Sequence, residues 1–300
     1  MSGTEFGYGS REYCESLADF GRPLELAACG GWILERAIPD SGLTDAMGPY
    51  PLFACRDWAR IGDDFRTCER NLVSVVLVTD PFHAPSASDL QREFDVVKPF
   101  KEHLVVDLGR PVDQIGSRHH RYYGRRARRE IEVVPSTDPV GFSESWTSLY
   151  GELVRRRGLT GIKAFSAAAF RRQLAVPGAV LLVACRGSEL VGAQIWMVAG
   201  RVAYSHLTAM SAAGYDSRAS YAIYAAAIDH FRGIVDFLDL GGGAGLADSA
   251  QHLVEFKRGW STGARMAYLC GRILDRDGYR LLAGDRQTDY FPAYRAGELA

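Results

Sequence analysis

Apolar and polar positions change period along this chain, and the change is clearest in its second half. In residues 143–157, Trp146, Leu149, Leu153 and Val154 fall on one side of a helical projection, which predicts an amphipathic helix. A glycine-bounded turn (158–161) leads to a second helix at 166–174, stopped near Pro177-Gly178. Three apolar runs follow, at 180–185, 190–198 and 202–210. The connections between them are so short that they predict an antiparallel meander. A polar loop at 214–220 precedes a helix with Tyr221, Tyr224, Ala225, Ile228 and Phe231 on one face. The next apolar run, 234–240, is too brief for a helix and reads as a buried strand. It runs into Gly241-Gly242-Gly243-Ala244-Gly245, where the backbone can turn sharply or approach a ligand closely. A helix-compatible segment ending in Phe256-Lys257-Arg258-Gly259-Trp260 comes next, and a last strand spans 264–274.

The first half is less regular. It predicts a helix at 11–20 and a β-hairpin of runs 24–28 and 32–38 about Gly30-Gly31. A rigid Gly/Pro loop follows at 42–51, then a β-branched strand at 72–79, a helix at 88–97 and a strand at 103–108. Pro111 suits the start of a helix running to about residue 130, and 131–134 is a further strand. Pro135-Ser136-Thr137-Asp138-Pro139 is the best domain boundary, separating 1–137 from 138–300.

Composition narrows the function classes. Three hundred residues with 47% hydrophobic content can bury two medium cores. The formal net charge of −1 makes no global demand for nucleic acid or membrane, so any basic surface is local. One such patch exists. Arg118, Arg121, Arg125 and Arg128 recur at three- and four-residue spacing on one helical face, either as a phosphate contact or as a solvated face. No apolar run approaches the ~18 residues of a membrane span, and the N-terminus lacks the basic and apolar regions of a signal peptide. Six cysteines lie scattered without ligand spacing, which suits reduced thiols in a cytoplasmic protein. The seven histidines form no ligand pair, so neither a metal nor a cofactor is expected.

Asp239-Leu240 followed by the glycines resembles the first motif of S-adenosylmethionine-dependent class I methyltransferases. That domain needs several more βα units, and only residues 246–300 remain. The order α-α-β-β-β-α-β-α-β from residue 143 is instead that of the GNAT acyltransferase fold. Val106-Asp107-Leu108-Gly109 and Leu238-Asp239-Leu240-Gly241 form a faint internal echo, read as a sign of duplication. The Phe256–Trp260 segment, the stretch from His103 to Leu108 with the arginine-rich region after it, and the Tyr215–Phe231 segment leading into Asp239-Leu240-Gly241 together resemble the FemABX-like family. The resemblance covers the chain from about residue 100 onward.

The resemblance implies an α+β protein of two tandem GNAT-like acyltransferase domains with mixed, splayed central sheets, the residues after about 275 packing back on the first domain. It implies an aminoacyl-tRNA donor and the amine of a peptide or nucleotide-linked peptide as acceptor, in cell-wall synthesis or in tailoring of a peptide antibiotic. It assigns Phe256 and Lys257 to the catalytic segment, with Lys257 as the cation facing the oxyanion. The arginine stripe would hold tRNA phosphates. Tyr204, His206 and Tyr215 are expected at a splayed-sheet cleft beside Gly241, Gly242 and Gly243. A hydrogen-bonded core position is the other reading for His206. Asp239 is read as a strand-end residue bonding the glycine-loop amides rather than as a base. An acyl-CoA-dependent transferase on the same fold is the alternative function, weakened because Ser211 to Arg218 carries one glycine and Asp216 where a pyrophosphate loop would stand. A non-catalytic binding module is a third reading, with no evident use for Lys257.

Overall fold

Two long strands carry the chain between its two halves, and they decide the architecture. A computed structural model of the chain describes residues 7–68, 72–243 and 251–298. They form two compact units, one of residues 1–101 with 266–300 and the other of 102–265.

The first unit contains α1 (Arg11–Ser16), β1 (Arg22–Leu26), β2 (Gly31–Ala37), β3 (Thr44–Met47), α2 (Ile61–Cys68), β4 (Ser74–Val78) and α3 (Ala87–Leu90). Strand β5 (Val96–Asp107) then passes into the second unit between Lys101 and Glu102. The second unit continues with α4 (Arg118–Ala127), β6 (Glu132–Pro135), α5 (Ser143–Arg157), α6 (Ala167–Leu174), β7 (Ala179–Arg186), β8 (Glu189–Ala199) and β9 (Val202–Met210). After these come α7 (Ala212–Asp216), α8 (Ala219–Phe231), β10 (Phe237–Asp239) and α9 (Gln251–Arg258). Strand β11 (Gly263–Ile273) returns to the first unit between Arg265 and Met266, and α10 (Arg276–Ala283) follows it.

The two units repeat one topology. In the first, β1, β2 and β3 pair antiparallel, β4 lies parallel to β3, and β11 closes antiparallel on β4. In the second, β7, β8 and β9 form the antiparallel meander, β10 lies parallel to β9, and β5 closes antiparallel on β10. In each unit, therefore, the antiparallel strand that follows the parallel pair is supplied by the opposite half of the chain. This exchange corrects the meaning of the internal echo. The two Asp-Leu-Gly stretches are not equivalent strand ends of a duplication. They lie on adjacent strands that pair with each other, Phe237 opposite Asp107 and Asp239 opposite Val105. The candidate boundary at 137/138 falls inside the second unit, and residues from Met266 onward belong to the first.

Local chemistry explains most element ends. Gly158 closes α5 in the left-handed conformation that a Cβ disfavours. Ser117 caps α4 by accepting the His120 amide, and Gly116 just before it has φ +74°, so the helix expected from Pro111 begins at Arg118 instead. Three further expectations change. Strand β3 runs through the supposed rigid loop at 42–51, α7 occupies part of the polar loop at 214–220, and only the short α3 forms in 88–97. The second core packs α8 and α4 against one sheet face through residues such as Trp196, Ala203, Ile223, Phe231, Leu238 and Trp260. The first core gathers Ile33, Phe53, Phe65, Val75, Leu77 and Cys270. Its tail is held by buried Asp45, which receives both Arg295 and Tyr294. No helix among the described residues is long and apolar enough to cross a membrane.

Candidate active site

The second unit's sheet opens where β10 stops. Strands β9 and β10 pair only from Val202/Phe237 to Tyr204/Asp239, and β9 then continues alone to Met210 while the chain leaves β10 into the glycines. This is the splay expected of the sheet: the parallel pairing of β9 with β10 stops at Tyr204.

One wall of the opening is the glycine turn. Asp239 is buried, and its Oδ1 accepts the Gly241 amide at 2.7 Å. Gly241 has φ +74°, a conformation that favours glycine. Its carbonyl accepts the Leu104 amide at 3.3 Å, which ties the turn to β5. Ala244 and Gly245, the rest of the glycine run, lie outside the described residues.

Lys257 stands over this turn from the last turn of α9. Its Nζ donates to the Gly242 carbonyl at 2.9 Å and lies 3.3 Å from where a Cβ on Gly241 would be. The neighbouring residues of its segment position it. Phe256 packs edge-on against Tyr221 and Tyr224 of α8 and tilts on His120 of α4. Trp260 is buried against His120 and beside Gly116 and Gly124. Gly259 leaves the space that the His120 ring fills, and its carbonyl accepts the Ser117 amide at 2.7 Å. The aromatic and glycine positions of the Phe256–Trp260 segment thus clamp α9 onto α4 and α8, and Lys257 is the residue of the segment that reaches the glycine turn.

On the α8 side of the opening, Tyr224 is buried among the side chains of Gln194, Ser205 and Thr208, and burial pushes its phenol up. Gln194 Nε2 donates to Ser205 Oγ at 2.9 Å. This polar cluster had no motif to announce it, since its members come from three separate elements.

The other expected residues separate. Tyr204 is buried opposite Asp239 in the parallel register, not displayed in a cleft. His206 is buried too, within 3.3 Å of Gln173 Oε1, and burial holds its imidazole down at about 3. It therefore takes the core reading. Tyr215 lies on α7 beneath the Arg156 guanidinium, 4.0 Å from its ring centroid, a cation–π contact away from the glycine turn. Of the arginine stripe, Arg128 pairs with Asp229 at 2.6 Å and Arg121 donates to the Gly116 carbonyl. Arg118 and Arg125 are exposed and form no ion pair among the described residues. The parallel packing of α4 and α8 also stacks Arg218 on Tyr123 at 4.0 Å and sets His119 beside Tyr221. No group of three His, Cys, Asp or Glu among the described residues is placed to hold a metal.

Sequence reasoning also missed a role for His103. This histidine of β5 is 6% exposed, and its Nδ1 donates to Asp239 Oδ2 at 2.8 Å. Register, rather than sequence proximity, brings the two together across 136 positions.

No family model matches the chain, and no curated protein matches it in sequence. Solved structures do. A crystal structure of FemX superimposes with a TM-score of 0.68 at 13% identity, over 91% of this chain and 94% of that one. The C-terminal domain of an Agrobacterium fabrum protein assigned as a lysylphosphatidylglycerol synthetase gives 0.60 at 14% identity, covering 87% of each chain. L-PGS from Bacillus licheniformis gives 0.52 at 14% identity, over 89% of this chain and 93% of that one. The chain has a FemABX-like fold.

Proposed function

We propose that this protein is an aminoacyltransferase that moves an amino acid from the 3′ ester of an aminoacyl-tRNA to the amine of a peptide or nucleotide-linked peptide. The observation that carries the reading is Lys257, held over the Gly241–Gly243 turn by an aromatic clamp in a fold shared with FemX. Attack on the ester carbonyl makes a tetrahedral oxyanion, and a cation fixed at a glycine turn answers that charge. A single donor of this kind is worth roughly 2.7–4 kcal/mol in the transition state. To do so, Nζ exchanges the Gly242 carbonyl for the oxyanion, a stronger, charge-assisted partner. The exposed arginines of α4, Arg118 and Arg125, offer the local positive charge that a neutral chain needs to meet a polyanion.

The acyl-CoA alternative has less support. Where a pyrophosphate loop would stand, residues 212–216 form α7, and the space beside Gly214 is filled by the Val191 carbonyl. That glycine serves packing.

The test is transfer of a labelled amino acid from intact and from RNase-digested charged tRNA to a peptide with a free amine, with acetyl-CoA as the control donor. Transfer should require intact tRNA, and Lys257→Ala should lower turnover by about 10²-fold or more with the fold unchanged. Lys257→Arg should be impaired as well, because a broad planar fork replaces a compact charge. Activity that survives complete digestion, or appears with acetyl-CoA alone, would end the reading.

A further inference from the structure

We infer that His103 is the base that takes the proton from the attacking amine, with Asp239 holding its ring. This rests on the acyl-transfer reading above and adds a second catalytic group to it.

The geometry leads from one partner to the next. Asp239 uses both oxygens, Oδ1 on the Gly241 amide at 2.7 Å and Oδ2 on His103 Nδ1 at 2.8 Å. A carboxylate accepts only, so Nδ1 carries a proton, and in the neutral imidazole Nε2 is then the nitrogen with the lone pair. No hydrogen bond to Nε2 is formed among the described residues, and the His103 side chain keeps 8% of its surface exposed. In the antiparallel register Asp239 faces Val105, and the amide of Leu104, next to His103 on β5, donates to the Gly241 carbonyl at 3.3 Å. Gly241 is the residue whose missing Cβ lies 3.3 Å from Lys257 Nζ. One carboxylate therefore orients both the turn beneath the lysine and the imidazole beside it. The charged groups on the elements around His103 are Asp239 on β10, Lys98, Lys101, Glu102 and Asp107 on its own strand, and Glu255, Lys257 and Arg258 on α9, the last paired with Glu102 at 3.1 Å.

The chemistry needs a weak base here. A peptide amine is largely ammonium at neutral pH and must lose a proton to attack. Nε2 takes the ammonium proton and so frees the lone pair for attack, and the imidazolium then gives that proton to solvent. The second proton, shed by the nitrogen as the C–N bond forms, goes to the departing ribose oxygen as the ester C–O bond breaks. The imidazole ends neutral, and no oxidant, reductant or further reactant is consumed. A positioned base of this kind contributes about 10²–10⁴-fold.

The experiment compares two acceptors with the full chain and radiolabelled total aminoacyl-tRNA as donor. One is a short peptide with a free amine; the other is hydroxylamine, which is weakly basic and already unprotonated at neutral pH. In His103→Gln the amide can still donate to Asp239. This variant should lose about 10²-fold or more in peptide transfer while keeping enzyme-dependent hydroxamate formation within a few-fold of wild type. Lys257→Ala should lose both. His103→Asn replaces His103→Gln if the latter lacks the native near-UV circular dichroism. Equal loss with both acceptors would make His103 structural, and no loss with either would remove it from the reaction. Both results overturn the inference while wild-type transfer stands. Absence of transfer by the wild type would instead overturn the aminoacyltransferase reading itself.

Discussion

Gly259→Ala tests the clamp that holds Lys257 in place. Gly259 is not in a left-handed conformation, so its need for glycine is a matter of space rather than dihedral. A Cβ there would fall inside the His120 ring, against Cε1, Nε2 and Nδ1. The ring has little room to retreat. Its Nδ1 meets Ser117 Oγ at 2.9 Å, and its faces and edges meet Tyr221, Phe256 and Trp260 at centroid distances of 5.2, 5.5 and 5.3 Å. Overpacking of a filled site costs ~1–3 kcal/mol, and a pinned ring puts this case near the upper end, about 3 kcal/mol. Urea unfolding followed by far-UV circular dichroism should record that loss as a lower midpoint at unchanged slope. His120→Ala alone is also destabilising, because it empties an aromatic site. In the double variant the new methyl occupies the vacated space, so the double should be more stable than the sum of the singles by at least about 1.5 kcal/mol. Gly124→Ala is the control for a mild squeeze. Its Cβ would lie 3.1 Å from the Ala225 Cβ and 3.2 Å from Trp260, and the ~1 kcal/mol gain in helix propensity offsets much of the contact. Additive effects of Gly259→Ala and His120→Ala, or a Gly259→Ala midpoint equal to wild type, would refute the clamp.

Three further outcomes are expected. His206 is held down at about 3 by burial, below its ordinary 6.5. The unfolded chain alone therefore gains this proton as pH falls from 6.5 towards 3, and stability present in full above 6.5 declines by about 1.4 kcal/mol per pH unit. His206→Gln should flatten the dependence of the urea midpoint on pH across that window, and an unchanged slope would contradict it. Replacing Arg118 and Arg125 together with alanine should weaken charged-tRNA binding and flatten its plot of log affinity against log salt by roughly one to two, whereas Arg128→Ala, already paired with Asp229, should change it less. Cys14 and Cys270, buried thiols pushed up to about 12, should react with a thiol reagent only after unfolding; rapid labelling of either in the folded protein would contradict their burial.

What could be read from the chain alone was what is local. The helix α5 matches its expected residues and the meander β7–β9 appears where apolar period and turn length put it, whereas the strand expected at 234–240 forms only at Phe237–Asp239, with Ile234 exposed. The FemABX-like fold and the splay between β9 and β10 were likewise legible, through motif order and element order. Lys257 was singled out by its segment, a lysine beside a glycine and two aromatics, and the structure sets it at the glycine turn.

Partnership was not legible. Strand β3 is four residues, Thr44–Met47, hidden in Gly/Pro-rich surroundings, and it exists because β2 and β4 pair on either side of it. The echo of Asp-Leu-Gly suggested two equivalent ends, whereas strand exchange makes those stretches neighbours. Glycines 116, 124 and 259 carry no sequence mark of their purpose, which is to leave room for Trp260 and His120. His103 and Asp239 become a pair through the register of β5 on β10. Period and turn chemistry act over a few residues and are written in the sequence order. Strand register and ring packing depend on which distant segments share a core, and no local pattern carries that information.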